Sequence, residues 1–226
     1  GGGMTAQEAK GLLVTFEGVD GSGKSTQAAL FVERLAQAGV PLLALRDPGA
    51  NAISERIRAI LLDRSLAEMS PWSELLLYEA ARAQMTGQQI IPALAEGRMV
   101  VCDRYYDSTT AYQGYGRQLE LDLVHQANRI GSCGLVPDVT FLIDVELEVV
   151  RRRLSARDSD ADRMEAAGLD FHDRVRRGYL ELAAAAPERV YVIPGNRPIE
   201  SIQRHIWQLF INRFQRHLNR PGEENA

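Results

Sequence analysis

Lysine is nearly missing from this chain of 226 residues: of its 26 basic side chains only Lys10 and Lys24 are lysines. Cysteine is as scarce. Cys102 and Cys133 form no CxxC pair, and their number points to a reducing, cytoplasmic compartment. Four histidines, His125, His172, His205 and His217, have no zinc spacing. No apolar run approaches the ~18 residues of a membrane span, and no basic-plus-apolar signal peptide opens the chain. Positive charge is not in excess either. Thirty acids against 26 bases leave a net charge of −4, which disfavours a nucleic-acid or anionic-membrane binder. Internal repeats and low-complexity segments are absent.

What remains is ordinary globular material, 45% apolar and 25% charged. A single domain of this length buries roughly 70% or more of its unfolded surface. Gly1-Gly2-Gly3 before Met4 reads as a tag remnant, so residues 1–11 are set aside with the N-terminal tail. The polar segment 219–226, containing Pro221-Gly222, is expected to be a disordered tail. Between them, 12–218 reads as one domain. Leu12–Phe16, Val40–Leu45, Met99–Cys102, Val139–Ile143 and Val190–Ile193 read as strands. Helical spacing fills the intervals, including Ser25–Gln37, Ile53–Leu62 and a long Ser73–Ala95 entered through Ser70-Pro71. Strands alternating with helices predict a five-stranded parallel sheet covered on both faces.

Gly18-Val19-Asp20-Gly21-Ser22-Gly23-Lys24-Ser25 matches GxxxxGK[ST] at every fixed position, between a strand and a helix. Glycines let backbone N–H groups curl around phosphate oxygens, and the following helix aims its positive end at the same anion. Lys24 reaches the outer phosphates, Thr26 follows in the first turn, and the Ser25 hydroxyl with the strand-end Asp103 are the candidate Mg²⁺ ligands. In a chain that uses arginine almost everywhere, a compact ammonium here is telling. These features predict a three-layer α/β P-loop NTPase fold. GTPases, ATPases and small-molecule kinases all carry this loop. Neither lysine fits the Asn-Lys-x-Asp of a GTPase. The strand that would end Asp-Glu in a mechanical ATPase ends Asp103-Arg104 instead. Arg104 has no acidic neighbour on its helical side, and suggests a second anion facing the nucleotide.

At this point the sequence resembles the bacterial thymidylate kinases. The resemblance rests on Glu17 through Thr26, on Arg46-Asp47-Pro48-Gly49, on Asp103-Arg104-Tyr105 running to Ala111-Tyr112-Gln113-Gly114, and on the arginine-rich stretch up to Asp162-Arg163-Met164-Glu165. It implies transfer of the γ-phosphate of ATP to dTMP, giving dTDP and ADP in dTTP biosynthesis, with Mg²⁺ and in a homodimer. It also implies an acceptor site. Tyr78 stacks on thymine, where the family usually has Phe, and Arg82, four residues on, bonds its carbonyl edge. Thr109, Tyr112 and Gln113 share a helical face toward the base and sugar, with Ser108 or Thr109 also able to cap that helix. Asp20 faces the acceptor's sugar or a metal-bound water. Arg104 clamps the acceptor phosphate, helped by Arg46 or Arg58, and Asp47-Pro48 lie alongside. The motif departs from the usual Arg-Glu-Pro-Gly-Gly-Thr at Asp47 and Ala50.

Arg151-Arg152-Arg153, Arg157 and Arg163 run into Asp158, Asp160 and Asp162. A charged, apolar-poor segment at about 151–167 is expected to be a short mobile lid. The resemblance implies an arginine that closes on the transferring phosphoryl group, carried by family members either in the phosphate loop or in the lid. The loop here has none, so the lid is expected to supply it, with Arg157 first and Arg153 second. An acceptor phosphate is already anionic, so no general base is required. Two other readings stay open. A deoxynucleoside kinase would need a carboxylate base, for which Glu17 or Asp103 could serve. A non-enzymatic ATP-binding switch would need neither Arg104 nor the lid.

Overall fold

Leu12, Val14 and Phe16 belong to one apolar cluster and Leu13 to another. Such alternation is what a central strand shows when both faces of its sheet are covered. In the computed structural model, which describes residues 11–155, 163–164 and 167–218, that strand is β1 (Leu13–Glu17). It is joined by β2 (Leu42–Arg46), β3 (Met99–Asp103), β4 (Val139–Asp144) and β5 (Val190–Pro194) in the order β2-β3-β1-β4-β5. Every pairing is parallel. The expected five strands are thus present, with β2 two residues later at its start than the apolar run suggested.

The helices are α1 (Lys24–Gln37), α2 (Ala52–Leu62), α3 (Pro71–Met85), α4 (Ile91–Ala95), α5 (Tyr106–Thr109), α6 (Leu121–Gly131), α7 (Leu147–Ser155), α8 (Leu169–Ala185) and α9 (Ile199–Phe214). On one face of the sheet Phe16, Phe31 and Phe141 meet at 5.4–6.0 Å between ring centroids, and Phe210 of α9 stands edge-on to Phe31 at 5.0 Å. On the other, Leu13, Val100 and Cys102 pack against Met85, Ile90 and Leu94. Cys102 is a buried, free thiol there.

The expected helix Ser73–Ala95 is not one regular helix. Ser70 caps α3 and Pro71 occupies its first turn, but a π-helical turn, Thr86–Ile90, separates α3 from α4. Pro92 is the reason: it has no N–H to give, and its ring would strike the carbonyl four residues back in a regular helix. A second π segment, Thr110–Gly116, continues α5.

Register fixes where chemistry can occur. Phe16 and Arg46 both pair with Asp103, so Glu17, Arg46 and Asp103 end at one carboxyl edge, the edge at which open parallel sheets bind ligands. Among the described residues no helix is long and apolar enough to cross a membrane. The expected disordered tail, 219–226, lies outside the described residues, as do Arg157 and the three acids of the expected lid.

Candidate active site

The turn after β1 is backbone-built. Gly18 (φ 150°) and Gly23 (φ 93°) adopt conformations that favour glycine, and a Cβ on Gly18 would stand 2.6 Å from the Ile143 carbonyl oxygen. Val19 turns its side chain into the core. Ser22 N–H donates to the Val19 carbonyl at 3.0 Å, Asp20 and Gly21 form the outer bend, and α1 starts at Lys24. Ser25 and Thr26 are exposed at its first turn. Lys24 Nζ lies 2.9 Å from Asp103 Oδ1 and donates to Ser25 Oγ at 3.1 Å. Burial pushes the Asp103 carboxyl up, but the Lys24 charge and the Ser25 hydroxyl more than offset it and hold it low. No cluster of three or more metal-ligating side chains occurs among the described residues. A hydroxyl and a carboxylate side by side do suit a hard divalent cation that keeps most of its water.

Arg104 follows β3 in a left-handed conformation, φ 72°. Its lack of an acidic neighbour on its helical side is corrected from across the sheet: Nη2 donates to Asp20 Oδ1 at 2.7 Å. Nη1 donates to Ser108 Oγ at 3.0 Å and to the Tyr179 hydroxyl at 3.1 Å. The guanidinium lies 5.0 Å from the centre of the Tyr112 ring, and the Tyr112 hydroxyl donates to Asp20 Oδ2 at 2.8 Å. Burial alone would raise the Asp20 carboxyl, yet the Arg104 and Lys24 charges hold it down at about 2. Behind this network Glu17 is wholly buried. It accepts from Tyr105 N–H (2.8 Å), Ser108 N–H (3.2 Å), Ser108 Oγ (2.5 Å) and the Tyr179 hydroxyl (2.7 Å). Burial, and next the Asp107 charge, push its carboxyl up to about 7. The cap of α5 is therefore Glu17, not the expected Ser108 or Thr109, neither of which caps it.

Beside Arg104 opens a cleft of about 510 Å³. Of the residues expected at the acceptor site, all but Arg46 line it: Asp20, Asp47, Pro48, Arg58, Tyr78, Arg82, Arg104, Thr109, Tyr112 and Gln113. Leu62, Ser108 and Met164, which sequence reasoning missed, complete the wall. Arg82 is almost fully buried and heavily engaged. Nε donates to Asp47 Oδ2 (2.5 Å), Nη1 to Glu79 Oε1 (2.6 Å) and Nη2 to Thr109 Oγ1 (2.8 Å). The Thr109 hydroxyl is thus committed to Arg82. Arg58 Nη1 donates to the Pro48 carbonyl at 3.0 Å. Arg46, the other helper expected, points away and pairs with Glu55 at 3.0 Å in an exposed position.

The arginines of the expected lid divide. Arg153, on α7, gives Nη1 to the carbonyls of Gly21 (3.2 Å) and Ser22 (3.1 Å), and Nη2 to that of Gly195 (3.1 Å). Arg163 is buried against Glu74, Nη1 to Oε2 2.6 Å, and donates Nε to the Leu61 carbonyl at 2.8 Å. It is an anchor behind the cleft and not a free cation over it, because Glu74 and the Leu61 carbonyl hold it there.

A phosphate loop facing an arginine-fronted, aromatic-lined cleft matches a known family. The thymidylate kinase family model fits residues 16–206. The chain belongs to the thymidylate kinase family. A thymidylate kinase of Pelotomaculum thermopropionicum is 48% identical over 188 residues, 83% of this chain and 87% of that one. One of Prosthecochloris aestuarii is 45% identical over 210 residues, 89% and 94% of the two chains. The crystal structure of thymidylate kinase from Ehrlichia chaffeensis superposes with a TM-score of 0.73 at 32% identity, over 89% of this chain and 98% of that one. Membership makes the chain a nucleoside monophosphate kinase, an ATP-using class that generally needs a metal ion. Set against the family motif, Asp47, one methylene shorter than Glu, still reaches Arg82. Ala50, where the motif usually has glycine, takes a left-handed conformation, φ 73°, with its N–H held by Glu55 Oε1 at 2.9 Å. Tyr78 keeps an aromatic side chain in the wall of the cleft.

Proposed function

We propose that this protein transfers the γ-phosphoryl group of ATP to dTMP, giving dTDP and ADP, in the supply of dTTP. The observation that carries the reading is the position of Arg104, between the phosphate loop and a cleft walled by Tyr78, Arg82 and Gln113. A cation there meets a second anion, and a cleft beyond it lined by an aromatic ring and by polar side chains suits a base. The difficulty of the reaction is bringing two polyanions together, and Lys24, Arg104 and the loop amides neutralise that charge where it concentrates. Ser25 and Asp103 would hold Mg²⁺, which when bound supplies further charge neutralisation to the outer phosphates. Arg157 is the proposed lid cation, since Arg153 and Arg163 are both committed to other partners. The Tyr112 ring would crowd a ribose 2′-hydroxyl and favour deoxynucleotides.

The deoxynucleoside kinase reading is the weaker one. Its candidate bases are both occupied: Glu17 is buried under four donors and Asp103 holds Lys24, and neither lines the cleft. We extend the proposal to a cytoplasmic homodimer, supported by two free cysteines and by the exposed Trp72 and Leu76 of α3. Coupled ADP release with dTMP, dUMP, UMP and thymidine in parallel tests the function. The expected order is dTMP first and dUMP a poor but detectable second, the 5-methyl contributing about 1–3 kcal/mol. Thymidine turning over faster than dTMP would establish the deoxynucleoside kinase, and no turnover with any of them the switch.

A further inference from the structure

Glu74, Tyr78 and Arg82 are spaced four residues apart on α3 and so form one stripe toward the cleft. Tyr78 and Arg82 line it; Glu74 lies behind, 1% exposed. For a carboxylate this is an unfavourable position, and the structure surrounds it with donors. Oε1 accepts from Gln113 Nε2 at 2.7 Å and from Arg117 Nε at 3.1 Å; Oε2 accepts from Arg117 Nη2 at 3.1 Å and pairs with Arg163 Nη1 at 2.6 Å. Burial pushes the carboxyl up, but Arg117, Gln113 and Arg163 outweigh it and keep it low, so Glu74 is ionised.

An ionised carboxylate only accepts hydrogen bonds, whereas a glutamine amide has one accepting and one donating end. Gln113 must therefore turn its NH₂ to Glu74. Its Oε1 has no hydrogen-bond partner among the described residues, and Gln113 is a wall of the cleft. We infer that Glu74 is a specificity-determining positioning residue: it fixes the Gln113 amide so that an acceptor faces the base, and thereby selects a pyrimidine that donates at N3. Thymine and uracil carry N3–H and a carbonyl at C4. Cytosine reverses both, with a bare N3 and an amine at C4, and would set N3 against Oε1 and its amine against the donors of Arg82. Discrimination by opposed polar groups is far steeper than discrimination by shape.

The inference rests on the cleft being the acceptor site. It is tested by kcat/KM for dTMP, dUMP and dCMP with the wild type and Glu74→Gln. In the variant the new carbonyl oxygen takes the place between Arg117 and Arg163, its NH₂ is left facing Gln113, and Gln113 reverses. The dTMP and dUMP values should fall together by at least ~10-fold while dCMP does not, so that the dCMP:dTMP ratio rises at least ~10-fold. A merely structural role would lower all three in parallel, and that result overturns the inference. A wild type inert toward all three would instead overturn the acceptor-site reading, and this inference with it. Should Glu74→Gln not fold, the reciprocal double variant E74Q/Q113E is read in its place. There the amide introduced on α3 donates to the carboxylate introduced opposite it, whose other oxygen accepts from N3–H. It should keep the wild-type preference for dTMP within tenfold, and a preference for dCMP overturns the inference.

Discussion

Arg104 Nη2 stands 2.7 Å from Asp20 Oδ1, so the cation at the mouth of the acceptor cleft is held by the carboxylate of the phosphate loop. The two sites are tied before either substrate arrives. Removing the cation does more than subtract one contact, because it leaves Asp20 facing an incoming phosphate without the guanidinium that pairs with it. Arg104→Met should lower kcat/KM for dTMP by about 10²–10³-fold, within the ~2–5 kcal/mol of a truncated, hydrogen-bonded charge pair. Any residual turnover of thymidine, which brings no phosphate, should be unaffected. Parallel assays on the two acceptors check this, and equal losses on both would remove Arg104 from the phosphate.

Glu17 makes stability depend on pH in an unusual direction for an acid. Its folded value of about 7 stands above the ordinary 4.5, so the folded state holds the proton more tightly than the unfolded chain. The stabilisation is complete below pH about 4.5 and is lost as pH rises to about 7, with a slope of at most ~1.4 kcal/mol per pH unit. Asp20, held at about 2, acts only at the acid end: its contribution is present above the unfolded value and is lost as pH falls through about 2. Glu17→Gln should therefore flatten the profile between pH 4.5 and 7. Urea midpoints at pH 5 and pH 8 measure it, and identical slopes for wild type and variant would rule Glu17 out as the source.

Ala50 occupies φ 73° where the family motif carries glycine. A side chain in that region costs about 1–2 kcal/mol, while glycine adds about 0.5–1 kcal/mol of unfolded-chain entropy. The two nearly offset, so Ala50→Gly should leave stability within ~1 kcal/mol of wild type. Ala50→Val adds a β-branch to the same conformation and should cost more than ~1 kcal/mol. Thermal unfolding of the two variants compares them, and a Val variant as stable as the Gly variant would mean the loop relaxes.

Local signals explain what could be read from the sequence. The strand runs, the phosphate loop and the Ser70-Pro71 helix entry each declare themselves within a dozen residues, and all are present in the fold. The acceptor residues were legible only as a set, through family resemblance, because they come from five separate segments. What escaped was second-partner chemistry. Glu17 meets the Tyr179 hydroxyl across 162 positions and the Tyr105 N–H across 88, and no spacing rule links such pairs. Glu74 did carry a signal, its four-residue offset from Tyr78, but a lone acid near the start of a helix reads equally well as a solvated first-turn residue. The break at Thr86–Ile90 was foreshadowed by Pro92 and overridden by the continuous apolar spacing around it.

The arginines of α7 and the segment after it give the last test. Arg153 touches three main-chain carbonyls, two in the phosphate loop and one at Gly195. A guanidinium so used fixes the loop's shape and cannot also follow a phosphoryl group through its transfer. Arg153→Ala should therefore raise the KM for ATP by roughly tenfold and lower stability by about 1–3 kcal/mol, because those carbonyls are left unpaired. Its effect on kcat should be smaller. Arg157 is the proposed transfer cation, so Arg157→Ala should lower kcat by at least ~10²-fold with little change in the KM for dTMP, since such a group acts mainly on the transition state. Steady-state kinetics with each substrate varied in turn separate the two patterns. If Arg153→Ala shows the larger loss of kcat, the assignments are reversed; if neither variant lowers kcat, neither arginine reaches the transferring group.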